Sequence, residues 1–154
     1  MDKNHTTFEN FQLLEERLIP SSSYLFFYEN AFLKINLIKE ITSKQSLPIL
    51  YVDLDFLFSG YVKSKLLTIP NLTLFSTLES KINEILPKIF TKLATKPHFV
   101  IFDSINGLYN TLSNDVDSGR LVNSILMLHA RNISFSNSIL IISALAGKKE
   151  NDWV

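Results

Sequence analysis

Phe99-Val100-Ile101-Phe102-Asp103-Ser104 runs directly into Ile105-Asn106-Gly107-Leu108-Tyr109. The first four residues are apolar without a break, and the run ends on an acid. A run this short and unalternating predicts a strand covered on both faces, as in a parallel sheet. The acid at its end has two readings. It is where P-loop ATPases place the acid that organises magnesium, and it is also where an ordinary aspartate caps the following turn.

Four more runs share the pattern, at 24–28, 48–53, 72–75 and 138–142. Helical spacing fills the intervals. Leu33, Leu37, Ile38 and Ile41 mark a helix within 32–42. Leu78, Ile82, Ile85, Leu86, Ile89, Phe90 and Leu93 mark a longer one, which Pro87 is expected to kink or divide. Val122, Ile125, Leu126 and His129 mark a third, with Asp117 or Ser118 as its cap. Strands alternating with helices predict an α/β domain, a mostly parallel sheet with helices on both faces. The runs at 24–28 and 99–102 are expected to be interior strands with their C-terminal ends at one edge.

The 154 residues suit a single domain, and a hydrophobic share of 46% excludes global disorder. Residues 1–13 form an N-terminal segment in this reading, and 145–154 a polar, solvated tail. Lys+Arg and Asp+Glu both number 15, so overall charge gives no support for strong DNA binding. Contact with DNA is expected to be weak or indirect. The absence of cysteine rules out disulfides, thiolate metal sites and thiol catalysis. A polar N-terminus, and no apolar run near the roughly 20 residues that span a bilayer, predict a cytoplasmic chain without membrane attachment. His5, His98 and His129 are scattered and make no metal site, and His129 is expected to be a half-buried structural residue. Ser104 and Ser143 lack a nucleophile elbow. No catalytic residue, metal or cofactor is assigned.

Tyr28-Glu29-Asn30-Ala31-Phe32-Leu33-Lys34-Ile35 stands where the first strand turns into the first helix. A working P-loop needs G-x-x-x-x-G-K-[ST] there, because glycines let backbone N–H groups close around phosphates and the hydroxyl holds magnesium. Lys34 is present, but Ile35 stands in place of the hydroxyl and no glycine lies between Ser21 and Gly60. Phe32 and Leu33 are expected to fill space that phosphates would use, Glu29 would repel them, and the loop is about one residue short. By these requirements Lys34 is an ordinary solvated lysine. Asp53 and Asp55, at the end of the second strand, are either solvated or able to hold a cation.

In order and pattern, about residues 14–144 resemble the RecA/RadA-like family. The stretch 103–109 carries the likeness most specifically, through Asp103, Ser104, Leu108 and Tyr109. The resemblance implies a RecA-like P-loop ATPase core in truncated or minimal form. In it Lys34, Asp103 and Asp53 would be a vestigial nucleotide site. Departures from the family pattern point away from an autonomous ATPase. The phosphate loop lacks its glycines and hydroxyl, and no catalytic glutamate is evident after Phe75. The segment matching a DNA-binding loop shortens to 110–119, which holds Asp115 and Asp117 but no Lys or Arg. The resemblance therefore implies a pseudo-ATPase paralogue, a protein-binding accessory subunit near recombination or DNA repair. It would act as a homodimer or as a heteromer with an ATP-binding relative. Phe8, Phe11, Phe56, Phe58 and Tyr61 are the candidate interface, since they lie outside the clearest core stripes. The alternatives are a divergent ATPase using Lys34 and Asp103, and an unrelated α/β binding module.

Overall fold

The computed structural model describes residues 17–113, 116–149 and 152–153. In chain order the elements are β1 (Ser22–Tyr28), α1 (Ala31–Ser43), β2 (Ile49–Asp53), α2 (Leu57–Lys63), β3 (Leu72–Ser76), α3 (Ile82–Leu93), β4 (Phe99–Asp103), α4 (Ile105–Leu112), α5 (Ser118–Phe135) and β5 (Ile139–Leu145). A short pair, β6 (Lys148–Lys149) and β7 (Asp152–Trp153), follows. β1 to β5 form one sheet in the order β1-β5-β4-β2-β3, and every neighbouring pair is parallel.

The two-residue period of a strand divides the core into two layers. Leu50, Val52, Val100, Phe102, Leu140 and Ile142 pack with Ile85, Ile89 and Leu93 of α3, Leu108 of α4, and Val122 and Ile133 of α5. Ile49, Tyr51, Phe99, Ile101, Ile139 and Ile141 pack with Ile35, Ile38 and Ile41 of α1 and Phe58 of α2. β2 and β4 are buried at every position, as their unbroken apolar runs predict. Each large apolar side chain withdrawn from water contributes about 1.5–3 kcal/mol. This burial, rather than helix propensity, holds short helices such as α2 and α4 in place.

Several details depart from the sequence reading. Among the described residues β1 lies at the edge of the sheet, not in its interior. Its burial alternates, leaving Leu25 and Phe27 51% and 60% exposed. An aromatic-rich run looks the same whether one face or both are covered. α3 passes through Pro87 without division and begins at Ile82, leaving Leu78 exposed before it. Asp117 occupies the cap position of α5 but makes no side-chain cap bond; it pairs with Arg120 at 3.5 Å instead. α4 takes Asn110 to Leu112 out of the segment read as a shortened loop, and Asp115 lies outside the described residues. The polar end is not simply a tail, because β6 and β7 pair in antiparallel fashion.

Candidate functional site

Strand parity aims Asp103 of β4 and Ser143 of β5 towards the α1 layer at the C-terminal end of the sheet. Lys34, the fourth residue of α1, reaches down to meet them. Its Nζ lies 2.7 Å from Asp103 Oδ1, and both side chains are almost fully buried, at 1% and 0% exposure. Asp103 Oδ1 also accepts from Ser143 Oγ at 2.5 Å, and Oδ2 accepts from the Tyr51 hydroxyl at 2.5 Å. Asp55 stands 3.5 Å from the ammonium. Its two oxygens accept from the Tyr28 hydroxyl at 3.2 Å and from Ser104 Oγ at 3.1 Å. The Tyr28 ring lies 4.4 Å from Nζ, a cation–π contact.

Lys34 is therefore not a solvated lysine. The register of β4 and β2 sets an acid and a phenol beneath the first turn of α1, and the lysine stem is long enough to cover the gap. Burial alone would lower its pKa; the Asp103 carboxylate, with Tyr28 and Asp55 beside it, outweighs burial and holds the ammonium above its ordinary value. Tyr51 is pushed well above its ordinary value by burial and by Asp103, so its phenol stays protonated and donates.

The turn before α1 is short and holds no glycine. Only Glu29 and Asn30 separate β1 from α1. Asn30 Oδ1 accepts from the amides of Phe32 at 2.9 Å and Leu33 at 3.2 Å, and the Lys34 amide bonds the Asn30 carbonyl at 3.0 Å. The amides of Phe32, Leu33 and Lys34 at this helix terminus are already engaged. Phe32 and Leu33 do not fill a phosphate space as expected; they stand 67% and 68% exposed on the outside of the turn.

Asp53 is close to this cluster but serves a different element. Its Oδ2 accepts from the amide of Ser59 at 2.6 Å and from the Ser59 hydroxyl, fixing the start of α2. Its Oδ1 has no hydrogen-bond partner among the described residues, and burial raises its pKa. The structure thus brings Lys34 and Asp103 together and turns Asp53 away. Ser104 caps α4, accepting from the Gly107 amide at 3.2 Å. A Cβ at Gly107 would sit 2.5 Å from Asp55 Oδ1 and 2.7 Å from Leu54 Cβ, so only glycine lets α4 approach Asp55 this closely. The Asp103–Ser104 peptide bond is cis.

Tyr28, Tyr51, Ser143 and Asn30 escape the sequence reading. The signal was a phenol inside each of two apolar runs, because a buried tyrosine hydroxyl usually finds a partner. Of the candidate interface residues, Phe58 is excluded: it is fully buried and stacks on Tyr51 with ring centroids 3.7 Å apart. Tyr61 packs partly buried against the α1-side core. Phe56 stays 42% exposed, with a left-handed φ of 66°. Phe8 and Phe11 lie outside the described residues. His129 is fully buried between Phe90 and Phe102, not half-buried. Among the described residues no group of three or more His, Asp or Glu side chains is arranged to hold a metal ion. No helix among them is long and apolar enough to cross a membrane.

Compared by sequence, the chain matches no family model and no curated protein. Compared by structure, it is similar to the crystal structure of the RadB recombinase, with a TM-score of 0.58 and 15% identity over 86% of this chain. It is likewise similar to a KaiC-like protein from Pyrococcus horikoshii OT3, with a TM-score of 0.56 and 13% identity over 89% of this chain. The fold is that of the RecA/RadA core. This chain spans 65% of the RadB chain and 69% of the KaiC-like chain. At these identities the likeness concerns the fold, and the function has to be argued from the site.

Proposed function

We propose that this chain is a RecA-fold subunit that neither binds nor hydrolyses ATP. It works as a protein-binding accessory in an assembly of the recombination or DNA-repair kind, as a homodimer or beside an ATP-binding relative. One observation carries the reading: the Lys34 ammonium is buried against Asp103 at 2.7 Å. In a P-loop site that lysine reaches the terminal phosphates and the strand-end acid organises magnesium. Here each is the other's partner, and the two-residue turn capped by Asn30 supports the same conclusion. Binding of nucleotide with magnesium would have to break a buried ion pair and uncap a helix.

Calorimetry of the full chain with ATP and magnesium tests this. The expected result is no binding tighter than about 1 mM, roughly 4 kcal/mol of affinity. Saturable micromolar binding that needs magnesium, and that disappears in a Lys34→Ala variant still folded by circular dichroism, would overturn it.

A further inference from the structure

We draw no further inference here: the strongest candidate, the shallow pocket between the C-terminal ends of α3 and α5 that Lys96 and Phe135 help to line, has its Thr95 and Ser136 hydroxyls and its Asn132 amide bonded within the chain, and nothing in the structure shows what covers it.

Discussion

At the scale of single residues, Lys34 and Asp103 form an ion pair withdrawn from water. Desolvating two ions costs several kcal/mol each, and their attraction repays this only when the remaining hydrogen-bond capacity is filled. Here Tyr51 and Ser143 fill it for Asp103, and Tyr28 and Asp55 surround the ammonium. Removing one ion strands the other. Lys34→Met is expected to lower stability by about 3–5 kcal/mol. The double variant Lys34→Met/Asp103→Asn should recover a large part of that loss, since no buried charge is left uncompensated. Urea unfolding of both variants measures the difference. Equal losses in the single and double variants would mean that packing, not charge, explains the burial of Lys34.

At the scale of elements, the β1–α1 turn is held closed by its helix cap. Two residues separate strand from helix, and Asn30 turns inward on the helix amides. Asparagine is among the preferred helix caps, and its replacement by alanine typically costs about 1 kcal/mol. Asn30→Ala should therefore lower stability by about that amount, while Asn30→Ser, which keeps an acceptor, should lose less. Thermal unfolding compares them. If Asn30→Ala matched the wild type, water would be serving the Phe32 and Leu33 amides equally well. The cap was legible in the sequence as an Asn just before an apolar periodic stretch. The edge position of β1 was not legible, because strand order depends on pairing between residues more than a hundred positions apart.

At the scale of the whole molecule, two buried histidines tie stability to acidity. His98 and His129 both have pKa values lowered by burial. His129 bonds the Ile125 carbonyl through Nδ1 at 2.7 Å, while its buried Nε2 has no hydrogen-bond partner among the described residues. The folded chain thus keeps both rings neutral at a pH where the unfolded chain protonates them. Their contribution is fully present above an unfolded pKa of about 6.5 and is lost as pH falls through the lowered folded values. The melting temperature should be level from pH 7.5 to 8.5 and fall below pH 6.5. In His129→Phe, which keeps an aromatic between Phe90 and Phe102, the fall between pH 6.5 and 5 should be shallower. An unchanged slope would assign the acid sensitivity to other groups.

The sequence by itself determined the class of the fold. Unbroken apolar runs of about five residues separated by helical stripes leave a parallel sheet with helices on both faces as the arrangement that buries them. The run ending at Asp103 was a strand ending in an acid at the expected place. Composition also removed thiol chemistry outright. Only the tertiary structure decided what those residues do. It put Phe58 under Tyr51, sent Asp53 to Ser59, and set β1 beside β5 rather than between two described strands. Above all it joined Lys34 to Asp103 across 69 positions of chain. Apolar periodicity is a local property that burial enforces residue by residue. Which charge meets which depends on strand register and on the reach of a side chain, and both are fixed only once the layers have packed.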